Sequence, residues 1–187
     1  IRIYFIETFY YVIHMLAYKK KYFLIIKSIK DINLNKIKTN HKFFIIYRND
    51  ENREKLQDLL KFRKLCKTKG FKFLVANNVK LNITLKTDGI YLSSYNKSFK
   101  PLFLKSIRKI IIGSAHNNQE IALKRMQGCK YIVVSKLFKV DYNPRSSFLD
   151  IIKFNNLILN NKNIMPLGGI KINSLNKLRI VRSDGFA

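Results

Sequence analysis

Two adjacent glycines, Gly168 and Gly169, follow the apolar run 164–167 and could bind an anion through their backbone. Because glycine carries no side chain, its peptide N–H groups can come close to a phosphate, and it can adopt the angles of a tight turn. Parallel α/β barrels commonly bind phosphate in the loops after their seventh and eighth strands. An ordinary tight turn is the alternative interpretation, which the residue types alone do not exclude.

Ser114 and His116 follow another apolar run, 110–113, and carry a hydroxyl and an imidazole. Both could act on a ligand, the imidazole as an acid or base near neutral pH. Both could equally stabilise the start of the helix predicted next along the chain. A lone histidine is more often structural, so this second interpretation of His116 carries at least equal weight.

Short apolar runs alternate with longer amphipathic segments from residue 21 onward, which predicts repeated βα units on a parallel sheet. Eight runs have the length of strands: 22–26, 43–47, 71–75, 89–92, 110–113, 131–134, 164–167 and a start at Gly185. The predicted fold class is therefore α/β, a closed (β/α)8 TIM barrel. An open Rossmann or flavodoxin-like sheet would need a glycine-rich turn after the first strand, and residues 26–29 contain no glycine.

Two segments have the apolar spacing of surface helices. In 51–69, Gly70 stands where a left-handed cap is expected, and the predicted inner face is Leu56, Leu59, Leu60, Arg63 and Cys66. In 117–127, Asn117 or Asn118 is the predicted N-cap, Gly128 ends the helix, and one face carries Ile121, Ala122 and Met126. Weaker helical patterns cover 147–161 and 172–180, and 27–42 has room for only a short first helix.

One domain is predicted, because 187 residues suffice for a single core and no linker-like composition interrupts the chain. The barrel domain covers 21–187 and follows an apolar extension, 1–20. Because the eighth strand only begins at Gly185, we expect a truncated eighth unit and a fragment of a longer protein. The extension contains charged residues and is short for a bilayer span, which favours a cytoplasmic protein over one with a membrane-associated N-terminus. Homo-oligomer formation stays open.

The chain carries 37 Lys and Arg against 11 Asp and Glu, a formal net charge of +26. Such a charge would attract nucleic acid or an anionic membrane. The basic residues are spread singly, however, and their longest run is 19–21. Lysine accompanies abundant isoleucine and asparagine, as a coding bias would produce. We therefore expect no nucleic-acid partner and no membrane partner.

Four segments, taken in order, resemble the thiamine phosphate synthase and TenI-like family. Residues 71–92 read FKFLVANNVKLNITLKTDGIYL, where the family has a strand ending in Asn-Asp-Arg, a short helix with Val-Asp-Leu-Ala and a strand Asp-Gly-Val-His-Leu. IGSAH at 112–116 is similar to Gly-Val-Ser-x-His, GCKYI at 128–132 to Gly-Ala-Asp-Tyr-Ile, and PLGGI at 166–170 to Ala-Ile-Gly-Gly-Ile. The resemblance runs from about residue 21 to the end.

The resemblance implies a transferase reaction on small phosphorylated substrates in thiamine biosynthesis. Family members join a pyrimidine methyl diphosphate to a thiazole phosphate, releasing pyrophosphate with the help of magnesium. In this sequence Gly168 and Gly169 would hold the thiazole phosphate, and Ser114 would contact the diphosphate, with His116 close by. Arg48 matches a family arginine after the second strand, and Lys139 could replace a lysine of the family's Thr-x-Thr-Lys loop.

The magnesium site is altered relative to the family pattern. Asn77 stands in place of a metal-binding aspartate, and the loop after Leu92 shows no second acidic ligand among residues 93–96. An amide carbonyl can coordinate magnesium, but without negative charge it binds more weakly. We therefore expect a weakened or lost magnesium site.

Three hypotheses for function follow. The first is a divergent thiamine phosphate synthase, whose lysines partly replace magnesium as the counter-charge for pyrophosphate. The second is a TenI-like barrel that binds a phosphorylated thiazole or similar metabolite without coupling it. The third, a basic nucleic-acid-binding protein, lacks a basic stripe and a stacking-aromatic motif and is the weakest.

Overall fold

The structure is a computed structural model that describes residues 21–37, 42–49, 51, 54–140, 145, 147–159, 161–171 and 174–187. The predicted extension, 1–20, lies outside these residues. Eight parallel strands alternate with helical segments along the chain. The strands are β1 Lys21–Ile26, β2 Phe43–Tyr47, β3 Lys72–Ala76, β4 Gly89–Leu92, β5 Ile110–Ala115, β6 Tyr131–Ser135, β7 Ile164–Leu167 and β8 Gly185–Phe186.

The sheet closes on itself between its first and last strands. Strands β1 to β7 pair in chain order, and β8 pairs with β1 through Lys21 opposite Gly185. The backbone N–H of Ala187, directly after β8, donates to the carbonyl oxygen of Pro166 on β7 at 2.9 Å. The predicted (β/α)8 barrel is therefore confirmed.

Side chains of the strands alternate between the barrel interior and the layer beneath the helices. Phe23 on β1 meets Tyr131 on β6 with ring centroids 5.7 Å apart, a contact between strands that are not neighbours in the sheet and therefore one across the interior. On the other face of β2 and β3, Phe43, Phe73 and Val75 are fully buried against the helices. Burial on both faces explains why the strands are continuous apolar runs rather than alternating patterns.

The helical segments are shorter than the predicted ranges. They are α1 Leu56–Thr68, α2 Val79–Thr84, α3 Asn118–Met126, α4 Asp150–Leu159 and α5 Leu175–Leu178, with 3-10 turns at Ile29–Asp31, Leu34–Lys36 and Lys100–Lys105. The predicted short first helix is thus two 3-10 turns, each capped by a polar side chain, Ser28 or Asn33. None of the helices in the described ranges is long and apolar enough to cross a membrane.

The predicted helix caps are confirmed, but the predicted inner faces are partly wrong. The Asn117 side chain accepts from the N–H of Glu120 at 2.8 Å, and Gly70 adopts a φ of 75° after α1. Helix α1 buries Leu59, Phe62 and Cys66 while leaving Leu56 and Leu60 exposed. Helix α3 buries Ile121 and Lys124, whereas Met126 is 62% exposed. On α3 the apolar pattern failed because the apolar stem of Lys124 packs under the helix while its ammonium finds hydrogen-bond acceptors.

At Gly89, the first residue of β4, the backbone of the neighbouring strand β5 comes very close, and a substitution tests this contact. A Cβ at this position would lie 1.9 Å from the carbonyl oxygen of Ile110 on β5. Since a backbone atom cannot yield as a flexible side chain can, Gly89→Ala should lower the free energy of unfolding by about 3 kcal/mol. Urea denaturation measures the change. Gly70→Asn, which keeps a residue tolerant of positive φ after α1, should change it by only a few tenths of a kcal/mol, and equal losses in both variants would contradict the steric explanation.

Candidate functional site

The carboxyl ends of all eight strands lie at one end of the barrel, because every strand pair is parallel. This end carries Arg48 after β2, Asn77 after β3, Ser114 near the end of β5 and Gly168 after β7. The strands β5, β6 and β7 are consecutive in the sheet and Ser114 is level with Val133 and Met165, so Gly168 lies two strands away and three residues further along the strand direction. The structure thus brings the predicted residues to the rim of one barrel mouth.

Tyr91 on β4 connects two of the predicted site residues. Its side chain is 1% exposed and belongs to the interior cluster, and the Ser114 side chain on the neighbouring strand β5 lies close enough to affect its phenol. Burial raises the pKa of the phenol, while the nearby Ser114 hydroxyl and Arg48 guanidinium oppose that rise. Tyr91, Ser114 and Arg48 therefore lie near one another at the floor of the mouth.

Sequence reasoning did not select Tyr91 as a site residue. The signal was nonetheless present, since Tyr91 stands in Asp-Gly-Ile-Tyr-Leu at the position where the family strand Asp-Gly-Val-His-Leu has its histidine. An inward-pointing polar ring at the end of a barrel strand reaches the mouth in either case.

The turn at Gly168 and Gly169 lies directly under the loop that follows β6. Gly168 has a φ of 94° and Gly169 a φ of 69°, both in the left-handed region that favours glycine. A Cβ on Gly169 would lie 2.5 Å from the carbonyl oxygen of Phe138 and 2.6 Å from that of Lys139. The backbone of Lys139, a predicted site residue, therefore contacts the turn, and the residue is exposed.

Two features of this turn suit an anion. Among the described residues, the backbone N–H groups of Gly169 and Ile170 find no protein acceptor. The side chain of Lys136, just after β6, begins 3.4 Å from the Cβ position of Gly168. Free N–H donors beside a cation can bind a phosphate group. Lys136 is therefore a second basic residue at the turn, which sequence reasoning missed in favour of Lys139.

His116 lies at the start of α3 and bonds to that helix. Its backbone N–H donates to Glu120 Oε2 at 2.7 Å, and its ring Nδ1 lies 3.0 Å from the same oxygen. The side chain is 50% exposed. This geometry serves the helix start, and the predicted catalytic role of His116 stays a prediction.

The Asn77 amide is fully occupied by hydrogen bonds to the loop after β4. Its Nδ2 donates to Ser93 Oγ at 2.8 Å and to the Tyr95 hydroxyl at 2.9 Å. Its Oδ1 accepts from the backbone N–H of Ser93 at 3.0 Å and from Asn96 Nδ2 at 3.1 Å. With a φ of 57°, Asn77 also occupies a left-handed conformation that asparagine tolerates better than most residues.

These residues do not fit the magnesium ion that the resemblance implies. Magnesium requires oxygen ligands with lone pairs directed at it, usually including carboxylates. The only side-chain oxygen of Asn77 already accepts two hydrogen bonds. In the part of the chain that the structure describes, no group of three or more His, Cys, Asp or Glu could hold a metal ion.

A groove of about 440 Å³ opens beside the same loop, lined by Asn77, Asn78, Tyr95 and Lys100 among others. It lies at the β3 side of the mouth, whereas the glycine turn follows β7. The groove and the glycine turn are therefore separate features of the mouth.

The fold and the mouth together define a parallel (β/α)8 barrel with a hydroxyl and guanidinium floor and a glycine turn at the seventh strand. Residues 30–187 match the profile of the family described as thiamine monophosphate synthase. The chain belongs to this family.

Relatives of known name agree with this assignment. The chain is 25% identical over 151 residues to the thiamine-phosphate synthase of Clostridioides difficile, covering 75% of this chain and 68% of that protein. It is 29% identical over 134 residues to the thiamine-phosphate synthase of Mannheimia succiniciproducens, covering 68% and 60%. A third match, at 28% identity to the thiamine-phosphate synthase of Prochlorococcus marinus, covers 70% of this chain but only 32% of that protein.

Solved structures show the same fold. Thiamine phosphate pyrophosphorylase from Pyrococcus furiosus superposes with a TM-score of 0.68 at 17% identity, covering 92% of this chain and 86% of that one. The 2-keto-3-deoxy-6-phosphogluconate aldolase of Zymomonas mobilis, solved with 3-phosphoglycerate, gives 0.53 at 12% identity, covering 89% and 78%.

Asn77 offers a test that separates its side chain from its backbone. Asn77→Gly keeps the positive φ but loses every side-chain hydrogen bond, and should lower the free energy of unfolding by about 1–3 kcal/mol. Asn77→Ala loses the same bonds and strains the backbone, which adds about 1 kcal/mol. Thermal or urea denaturation of both variants measures the order. An Asn77→Ala protein as stable as the Asn77→Gly protein would contradict the strained conformation.

Proposed function

We propose that the chain binds a phosphorylated thiazole, or a closely related phosphate ester, at the barrel mouth and holds its phosphate at the Gly168–Gly169 turn. The observation that carries this proposal is the turn itself, where the N–H groups of Gly169 and Ile170 have no protein acceptor within the described residues and lie beside the lysine-bearing loop after β6. Membership of the thiamine monophosphate synthase family supports the choice of a thiazole phosphate. The Zymomonas aldolase, solved with a phosphorylated ligand, supports the use of this fold for phosphate esters.

The floor of the mouth would orient the rest of the ligand. The same mouth carries Ser114 on β5, Tyr91 on β4 and Arg48 after β2, whereas the glycine turn follows β7. Hydroxyls and a guanidinium supply hydrogen bonds and one positive charge. Lys136 and Lys139 would add positive charge at the phosphate.

A second candidate is the coupling reaction of the family. In that reaction the pyrimidine methyl diphosphate loses pyrophosphate while its methylene carbon bonds to the thiazole nitrogen. The convergence of Arg48, Tyr91 and Ser114 favours it, because a leaving pyrophosphate needs a cation and hydrogen-bond donors. The absence of a fitting metal-ligand set among the described residues favours binding alone, since one guanidinium supplies less counter-charge than a divalent ion.

Gly169→Ala tests the phosphate cradle. The new Cβ would overlap the Phe138 and Lys139 carbonyl oxygens and displace the turn, so affinity for the thiazole phosphate should fall at least about tenfold. Isothermal titration calorimetry measures the affinity. Gly70→Ala is the matched control, because it places alanine at a similar positive φ between α1 and the amino end of β3, away from the mouth. Equal loss of affinity in both variants would show that the effect is general destabilisation.

The two candidate functions differ in turnover and in their response to magnesium. The full chain should bind the thiazole phosphate with the same affinity in magnesium and in EDTA, and should release no pyrophosphate when both substrates are supplied. Enzymatic detection of pyrophosphate provides the measurement. If the wild-type chain released pyrophosphate and Ser114→Ala abolished this release, the coupling reaction would be the function. A strict magnesium requirement for binding would contradict the first candidate.

A further inference from the structure

We propose that the buried Lys124 ammonium is the resident cation of the loop after β4, residues 93–98, and that together with the Asn77 amide it holds this loop where the resemblance would place a magnesium site. The loop then reaches its final shape without a divalent ion. This inference extends the proposed function by predicting a metal-independent mouth, but the loop itself can be tested without any ligand.

The ammonium of Lys124 uses all of its donors on or beside this loop. Lys124 is 0% exposed on α3. Its Nζ donates to the backbone oxygen of Ser93 at 2.8 Å, to that of Asn96 at 2.7 Å and to Gln127 Oε1 at 3.0 Å. Three donors with three acceptors give an ammonium that is completely satisfied.

Gln127 extends the same network further along the loop. It is 1% exposed, and its Nε2 donates to the backbone oxygen of Asn96 at 3.0 Å and to that of Ser98 at 2.8 Å. Lys124 on α3 and Gln127 at its C-cap thus bind three carbonyl oxygens of the loop, while Asn77 binds its side chains and a backbone N–H from the β3 side. Backbone carbonyl oxygens that converge on one cation are the arrangement in which proteins also hold metal ions.

The barrel wall provides the space for this lysine. At Gly113 on β5, a Cβ would lie 2.8 Å from Lys124 Cδ, 2.9 Å from its Cγ and 2.9 Å from Cys129 Sγ. The stem of Lys124 therefore lies directly on a strand that has no side chain at this point. Such close packing fixes the position of the ammonium as well as its hydrogen bonds.

No carboxylate contacts the Lys124 ammonium among the described residues. Glu120, on the same helix, bonds to the backbone and ring of His116. Burial lowers the pKa of Lys124, while the nearby Cys129 and Glu120 oppose that change. A charge held only by carbonyl dipoles is stabilised where the oxygens stay fixed, so the ammonium and the loop depend on each other.

The decisive measurement is hydrogen exchange of the peptide that covers residues 93–98, without ligand. In Lys124→Met the stem remains but the charge and the donors are lost, so exchange in this peptide should become at least about tenfold faster. Lys61→Met is the matched control, because Lys61 is an exposed lysine of α1, and it should leave the peptide unchanged. If the 93–98 peptide of Lys124→Met exchanged at the same rate as in the wild-type protein, the proposal would be overturned.

Magnesium provides a second arm that uses only the wild-type chain and therefore applies even if Lys124→Met fails to fold. Millimolar magnesium chloride or EDTA should leave exchange of the loop unchanged. A saturable slowing by magnesium, lost in Asn77→Ala, would identify a true metal site and overturn the proposal. Failure of the wild-type chain to bind a thiazole phosphate would remove the proposed function while leaving the result for the loop intact.

Discussion

Closure of the parallel sheet is the constraint on which the mouth depends. The hydrogen bond from Ala187 to Pro166 and the pairing of β8 with β1 complete the ring, and because every strand pair is parallel, the eight carboxyl ends surround one mouth. Residues distant in sequence, such as Arg48, Ser114 and Gly169, then share one rim without needing direct contacts. Because the strands supply the positions, the loops can change their chemistry while the barrel is retained.

The strands were predictable from the sequence because their burial on both faces leaves long apolar runs. Three of the predicted strands, at 43–47, 89–92 and 164–167, have the bounds found in the structure. The helices were less predictable, since Leu56, Leu60 and Met126 are exposed. Surfaces of a basic, isoleucine-rich protein carry apolar residues too, and this blurs the contrast between the two faces of a helix.

The site was predictable where it depends on backbone and not where it depends on side-chain contacts. A pair of adjacent glycines predicts a turn with accessible N–H groups, and Gly168 and Gly169 do form a turn. Tyr91 and Ser114 come together because β4 pairs with β5, and no spacing in the sequence encodes their proximity. Likewise, the sequence shows directly that acidic residues are missing around Asn77. It does not show that the Asn77 amide forms hydrogen bonds to the loop after β4 at that position.

The residue types at positions 113 and 124 restrict each other. The lysine stem occupies the volume that any side chain at position 113 would need. The lysine stem can lie against the wall only while glycine stands opposite it, and with the lysine in place the glycine cannot be replaced without moving that stem. Homologous proteins that share the lysine should therefore also share the glycine, whereas a side chain at position 113 should require smaller residues at both 124 and 129.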